Sequence, residues 1–360
     1  MATQTCEPCK TTTCAEAKAE FAKASWDTIK QCVQAADPIS EHIKILHESF
    51  AAEGISAKAL TVAVDCCNGA CSFLSPKWLE QLGCEVLAVN DNPNAPYVIN
   101  IQEGALSALR KKGYELVVHP CDRTSPDFLS DIKQLVSRQK LDGVILLPPV
   151  SENAALASLH KSIECPYVRV ISAALDELEN VVLSMDRESA AEVAEHLAKL
   201  GHTRIAMIIG PATYRSAHER LVGFSNALAE RALALKPEYL VEGQYTFESG
   251  AACAELLLSR SPRPTAIFAG NDETAAGVYR TAYLRGLKIP DDLTVIGFDD
   301  SPLASRLCPS LTTMRQPIRD MGRLAAEKLI AKVARAEGPP PTASMMFPHL
   351  IVRESSGRPK

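Results

Sequence analysis

Polar side chains that could hold a small hydroxylated ligand recur just after the predicted strands. The set is Asn92, Asn94, Tyr97, Asp122, Arg123, Ser184, Asp186, Ser216, Arg220, Asn271, Asp272, Asp299 and Asp300. Ligands bind beyond the carboxyl ends of strands in parallel α/β sheets, so we expect these side chains to lie close together. Carboxylate and amide oxygens accept hydroxyl hydrogens, and a guanidinium donates two parallel hydrogen bonds. Any single Asp or Asn could equally be a helix cap, but the recurrence favours a site for a polyhydroxylated ligand, such as a sugar.

Signals for catalysis are weak in this chain. It contains no GxSxG elbow, no Walker A loop and no HExxH motif. The adjacent Asp299 and Asp300 would point in opposite directions on an extended segment, which argues against an acid–base pair. Cys6, Cys9 and Cys14 have a zinc-like spacing, but no fourth ligand follows at a standard spacing, so an incidentally Cys-rich start is favoured. We predict a protein that is not an enzyme and has no cofactor or resident metal.

The elements that must position the polar set alternate along most of the chain. Strands are predicted at 60–65, 85–89, 114–118, 143–147, 167–171, 204–209, 266–269 and 294–298. Helices of 10–15 residues separate most of them, which predicts α/β architecture with parallel sheets flanked by helices. These strands are too many for one ordinary doubly wound sheet, so two lobes are expected. A β-α-β unit over 60–89 precedes them, after a polar tail and helices.

Composition changes along the 360 residues. No arginine precedes Arg110, and eight of the twelve cysteines lie in the first 84 residues, which suggests that the front and the body have different origins. The net charge of −5 argues against a broadly basic, nucleic-acid-coating surface. No apolar run reaches the roughly 18 residues of a membrane helix, and the start lacks the apolar core of a secretion signal. We expect a cytoplasmic protein without a membrane partner.

The stretch from about 90 to 356 resembles the effector-binding core of the LacI/GalR (lactose/galactose repressor) family. The matching segments are DNPNAPYVINIQEGAL (91–106), LDGVILLPP (141–149), LGHTRIAMIIGP (200–211), SAHERLVGF (216–224), RPTAIFAGNDETAAGV (263–278), IPDDLTVIGFDD (289–300), PSLTTMRQP (309–317) and HLIVRES (349–355). The resemblance implies a two-lobed periplasmic-binding-protein-like fold of type I, with three crossings between the lobes. It also implies a dimeric transcription regulator whose pocket uses Asp186, Ser216, Arg220, Asn271 and Asp299, with Asn94 from the first lobe.

The same resemblance predicts how the chain is divided. The first lobe would comprise residues 85–196 plus 314–346, and the second lobe residues 197–313 plus 347–356. Residues 1–59 would form a partly disordered tail with helices, and residues 60–84 an extra β-α element.

The front of the chain departs from that family. Residues 37–92, from DPISEHIKIL to NDNPN, resemble the start of the second domain of a phosphohexomutase, but the phosphoserine loop and the metal-binding DxDxD loop of that family are absent. Residues 28–36 resemble only the first helix of a DNA-binding headpiece, and no recognition helix follows. We predict a sugar-responsive, homodimeric regulator core whose headpiece is replaced, which argues against DNA binding. The alternatives are a complete repressor with an atypical headpiece and a mutase-derived chimera without a regulatory role.

Overall fold

The computed structural model describes residues 61–65, 85–89, 95–119, 125–173, 176–334 and 345–360. The chain divides into two compact units, residues 1–95 and 96–360. In the first unit, strands β1 (Thr61–Asp65) and β2 (Glu85–Val89) pair in parallel, with Thr61 opposite Glu85. This pairing is what the predicted β-α-β unit requires. The intervening helix, the helices predicted before residue 54 and the N-terminal cysteines lie outside the described residues.

The described part of the second unit contains two sheets. The smaller sheet is parallel, in the order β11-β5-β4-β3, and its strands are β3 (Val144–Leu146), β4 (Tyr167–Ile171), β5 (Val181–Ser184) and β11 (Met345–Met346). The larger sheet has the order β12-β10-β9-β8-β6-β7, and its strands are β6 (Ile205–Ile209), β7 (Leu240–Glu242), β8 (Ala266–Ala269), β9 (Thr294–Asp299), β10 (Thr312–Arg315) and β12 (His349–Ile351). Among the described strands of this sheet, only the edge strand β12 runs antiparallel to its neighbour. The central strands are apolar on both faces because helices cover both sides of each sheet.

Helices alternate with these strands as the sequence predicts. They are α1 (Ala95–Arg110), α2 (Phe128–Gln139), α3 (Ala154–Ser162), α4 (Asp186–Leu200), α5 (Arg215–Ala229), α6 (Phe247–Leu258), α7 (Asp272–Leu284), α8 (Pro302–Arg306) and α9 (Ile318–Val333). Helix α9 packs Met321 and Ala325 against the smaller sheet, whereas Phe224 of α5 packs against Phe268 of the larger sheet with ring centroids 5.0 Å apart. Each sheet therefore has its own apolar core. In the described ranges, no helix is long and apolar enough to cross a bilayer.

Over the described residues, the chain passes between the two sheets three times, the number that the resemblance implied. The crossings lie at Met185, between Arg315 and Ile318, and between Met346 and His349. One lobe boundary differs from the prediction, which assigned residues up to 196 to the first lobe. Helix α4 buries Ala190, Val193, Ala194 and Leu197 in the core of the larger sheet. We therefore propose that the first segment of the first lobe ends at Ser184.

The strand predicted over residues 114–118 is wrong. Residues 114–119 form no strand, and the side chains of Val117 and Val118 are 56% and 55% exposed. A β-strand needs a neighbour to complete its ladder of backbone hydrogen bonds, and no described strand pairs with this segment. Its β-branched residues fit the sequence pattern of a strand, but the segment lacks the neighbouring strand that normally accompanies this pattern.

Candidate ligand-binding cleft

An ion pair between Asp186 and Arg220 forms the centre of the candidate site. Arg220 Nε donates to Asp186 Oδ2 at 2.8 Å, and Arg220 Nη1 donates to the carbonyl oxygen of Gly270 at 2.6 Å. The side chain of Asp186 is 0% exposed and that of Arg220 is 7% exposed. Burial alone would lower the pKa of Arg220, but Asp186 offsets this and the pKa lies above its ordinary value. The guanidinium is therefore a fixed, charged donor within the unit.

Asp186 also connects the two sides of the first crossing. Ser184, the last residue of β5 in the smaller sheet, donates its hydroxyl hydrogen to Asp186 Oδ1. Asp186 is the first residue of α4, which packs on the larger sheet. A carboxylate at a helix N-terminus interacts favourably with the helix dipole. The central ion pair is thus anchored at a point where the chain passes from one lobe to the other.

Aromatic rings surround the guanidinium of Arg220. Its central carbon lies 3.5 Å from the ring centroid of Phe298 and 6.0 Å from that of Tyr245, within the range of cation–π attraction. Tyr245 is buried and meets Tyr214 edge-on, with centroids 5.5 Å apart. A Cβ at Gly210 would lie 1.9 Å from the Tyr245 ring, so only glycine leaves room for it. The rings give the cleft an apolar wall beside its charged centre.

Asp299 ends strand β9 in a backbone conformation that few side chains adopt. Its φ is +112°, and its Oδ1 accepts a hydrogen bond from Gln316 Nε2 at 3.3 Å, within the second crossing. Burial raises the pKa of Asp299 to about 8; Arg220 opposes this shift and Asp272 adds to it. At neutral pH the carboxyl therefore favours its protonated form, which can both donate and accept a hydrogen bond.

Two other predicted residues lie in the same region. Asn271 caps α7: its Oδ1 accepts from the Thr274 amide at 2.9 Å, and its Nδ2 donates to the Tyr245 carbonyl oxygen at 3.0 Å. Both of its polar groups thus bind backbone, as the capping interpretation requires, and a ligand contact stays a prediction. Ser216 is buried at the start of α5, beside Tyr245. Asn94 lies outside the described residues.

Asp300, the neighbour of Asp299, forms a separate polar cluster. It pairs with Arg315 and Arg353, and the Arg353 Nη2 to Asp300 Oδ1 distance is 2.6 Å. Asp272 accepts hydrogen bonds from the Thr313 hydroxyl at 2.6 Å and from a backbone amide at 2.7 Å. Burial raises the pKa of Asp272 to about 7, although these hydrogen bonds lower it. Asp299 and Asp300, although adjacent in sequence, thus have different partners. This fits the expectation that they do not act as a catalytic pair.

The first lobe contacts the second lobe at the start of α5, where the Glu152 carboxylate accepts a hydrogen bond from the Arg215 amide. Tyr97 on α1 is partly buried against the core of the smaller sheet, and burial, with smaller contributions from Asp186 and Asp299, raises the pKa of its hydroxyl. A cavity of about 260 Å³ opens between the turn Val150–Glu152 and the loop before α5; it is lined by Pro149, Val150, Glu152, Asn153 and Thr213. Its volume lies slightly below the roughly 300 Å³ at which small-molecule sites usually begin, and none of Asp186, Ser216, Arg220, Asn271 and Asp299 lines it.

Sequence reasoning missed Tyr245, Phe298 and Glu152. Phe298 is one of several apolar residues of a buried strand, and Tyr245 lies in a loop with no periodicity, so neither differs in sequence from an ordinary core or loop residue. Glu152 follows a predicted strand and could have been found by the strand-end rule that selected the others. Among the described residues, no three His, Cys, Asp or Glu side chains are placed to hold a metal ion.

In the described residues, two α/β lobes are joined by three crossings, with buried polar groups beside the first and second crossings. This arrangement defines the class of periplasmic-binding-protein-like ligand-binding domains. The family model described as "Periplasmic binding protein-like domain" matches residues 194–356. The chain is 30% identical over 289 residues to the ribose operon repressor of Escherichia coli, covering 80% of this chain and 87% of that protein. The chain belongs to the LacI/GalR family, and its relatives in that family are transcription regulators, not enzymes.

Two further similarities agree with this assignment. The chain is 32% identical over 211 residues to the probable HTH-type transcriptional repressor ExuR of Bacillus subtilis; the match covers 58% of this chain and 63% of that repressor. The structure of the transcriptional regulator CelR in complex with cellobiose matches with a TM-score of 0.63 and 28% identity, covering 72% of this chain and 79% of that one.

Proposed function

We propose that this chain is the ligand-responsive core of a transcription regulator that binds a small sugar-like effector between its two lobes. The observation that carries the proposal is the buried, charged Arg220 fixed between Asp186 and Gly270, with Asp299 close to it. A planar donor beside carboxyls and aromatic rings suits a ring of hydroxyl groups. The cellobiose complex of a relative supports the same ligand class.

Thermal unfolding with a panel of sugars tests this proposal. A ligand present at 100 times its dissociation constant stabilises the native state by about 2.7 kcal/mol. For a unit of this size we expect the Tm to rise by about 5–10 °C with the right sugar. The panel should include ribose and cellobiose, with ribonucleosides as a second class. A folded sample whose Tm no sugar or nucleoside raises would contradict the proposal.

We also propose that the chain forms a homodimer, as the family resemblance implies. Exposed apolar side chains lie on two adjacent helices of the second lobe. Leu256 of α6 is 56% exposed, and Tyr283 and Leu284 of α7 are 82% and 71% exposed. Apolar residues so exposed and so close together are typical of an interaction surface. In the first lobe, the exposed Val117 and Val118 follow helix α1, whose region the resemblance assigns to the dimer.

Replacing Leu284 with glutamate should therefore weaken dimerisation. A charge in an apolar interface loses its hydration without gaining a partner, so the measured mass should fall from twice 38.9 kDa towards 38.9 kDa. Multi-angle light scattering over a concentration series gives the mass. Val352→Glu is the matched control, since Val352 is 59% exposed and lies outside the two helices. A wild-type chain that is monomeric at high concentration would contradict the proposal.

The N-terminal part of the proposal concerns residues 37–92, of which the structure describes 61–65 and 85–89. We propose that residues 37–92 derive from a phosphohexomutase and replace the DNA-binding headpiece. What supports this is the resemblance of the segment and the absence of arginine before Arg110, since phosphate contacts in protein–DNA complexes rely on Arg and Lys. A cytoplasmic location follows from the same regulatory role.

A further inference from the structure

We propose that Glu152 is a positioning residue: it caps helix α5 from the opposite lobe and so holds the cleft closed. Its Oε2 accepts the backbone N–H of Arg215, the first residue of α5, at 3.0 Å. Glu152 belongs to a turn on the smaller sheet, whereas α5 packs on the larger sheet. The contact thus joins the two lobes across the cleft. The regulatory role of this contact rests on the proposed function, in which the effector binds between the lobes.

Helix α5 provides no cap of its own. Its N-cap position is Tyr214, whose side chain makes no capping hydrogen bond, and its first turn contains no acidic residue. The first four N–H groups of a helix have no partner within the helix, and Ser, Thr, Asp or Asn normally supplies one at the N-cap. A carboxylate at this end also interacts favourably with the helix dipole. Glu152 supplies both effects from across the cleft.

A buried arginine fixes the turn that carries Glu152. Arg169 of β4 donates from Nε to the Ser151 carbonyl oxygen at 2.6 Å and from Nη2 to the Asn153 carbonyl oxygen at 3.1 Å. The guanidinium thus holds the residues immediately before and after Glu152. Asp176 balances its charge, with Nη1 to Oδ2 at 3.4 Å, and the Ser151 hydroxyl donates to the Val170 carbonyl oxygen at 2.7 Å. These hydrogen bonds hold the turn, and with it the Glu152 carboxylate, in a fixed position on the first lobe. The carboxylate can therefore cap α5 only when the two lobes are close together.

The helix that Glu152 caps carries two residues of the candidate site. Ser216 and Arg220 lie one and five residues after Arg215 on α5. When the lobes separate, the Arg215 amide loses its acceptor and exchanges with water. Formation of the cap therefore links lobe closure to the position of the pocket side chains, and it does so before any ligand is bound.

Hydrogen exchange of the Arg215 amide in the full, ligand-free chain tests this role. We expect the amide to exchange about fivefold faster in Glu152→Ala than in wild type, the effect of losing about 1 kcal/mol of charge-assisted capping. Glu152→Gln keeps an acceptor oxygen without the charge, so its rate should lie between the two. Amides of the buried strand β8 should exchange at the same rate in every variant, which separates loss of the cap from general unfolding.

Glu115→Ala is the matched control, because Glu115 is an exposed carboxylate of the first lobe outside the cleft turn. Its Arg215 amide should exchange at the wild-type rate. Equal Arg215 rates in wild type, Glu152→Ala and Glu152→Gln would overturn the proposal, and so would an acceleration of the same size in Glu115→Ala. The exchange experiment uses no ligand, so its result does not depend on the outcome of the sugar screen. Likewise, the sugar screen can succeed or fail whether or not Glu152 caps α5.

Discussion

Replacing Arg220 with alanine is expected to lower the free energy of unfolding by about 3–5 kcal/mol and to abolish stabilisation by any sugar. The substitution leaves Asp186 buried without its cation, and removing one partner of a buried ion pair costs about this much. It also frees the carbonyl oxygen of Gly270 and empties the face of Phe298. Chemical denaturation followed by circular dichroism measures the first effect, and the Tm shift with sugars measures the second.

A double variant separates the two roles of Arg220. In Asp186→Asn with Arg220→Met, no uncompensated charge remains, so much of the lost stability should return, because buried ion pairs are often replaced by uncharged groups at little cost. Sugar binding should not return, since the guanidinium donor is still missing. Arg231→Ala is the surface control: Arg231 pairs with the partly exposed Glu195 at 2.8 Å, so its loss should cost less than about 1 kcal/mol. A single Arg220→Ala variant as stable as this control would contradict the argument.

Most of the fold could be predicted because its strands are short apolar runs separated by helices. The predicted strands 167–171 and 266–269 coincide with β4 and β8 at both ends. These strands are buried on both faces, so burial alone determines their pattern. The segment 114–118 has the same pattern without a paired neighbour, and pairing is a property of tertiary structure that a local pattern does not contain.

The site could be predicted only where a rule links sequence position to location. Asp186, Ser216, Arg220, Asn271 and Asp299 follow strands, and strand ends converge at one edge of a sheet. That rule predicts the region in which the site lies, but not which residues contact one another there. It does not show that Asn271 binds backbone, that Asp186 and Arg220 pair, or that Phe298 lies beneath the guanidinium. Such contacts join residues 26 to 78 positions apart, and they depend on how the helices pack.

Replacing Asp299 with asparagine is expected to stabilise the ligand-free protein at pH 8. The side chain is buried, and the hydrogen bond it receives from Gln316 Nε2 is long, at 3.3 Å. An amide of the same shape avoids the cost of a buried charge, and Asn tolerates positive φ better than most residues, which matters at φ +112°. Stabilisation of at least about 1 kcal/mol would raise the Tm by about 2–4 °C.

The pH dependence gives the sharper measurement for this variant. The folded-state pKa of about 8 lies above the unfolded value of about 3.9, so between these values the folded protein holds a proton that unfolding releases. Wild-type stability should therefore fall as the pH rises from 5 to 8. Asp299→Asn should lose less stability over this range, with a residual slope from Asp272, whose pKa is also raised. The exposed Asp291→Asn serves as the control and should follow the wild-type curve; if Asp299→Asn also followed it, the carboxyl would have to be ionised in the folded protein.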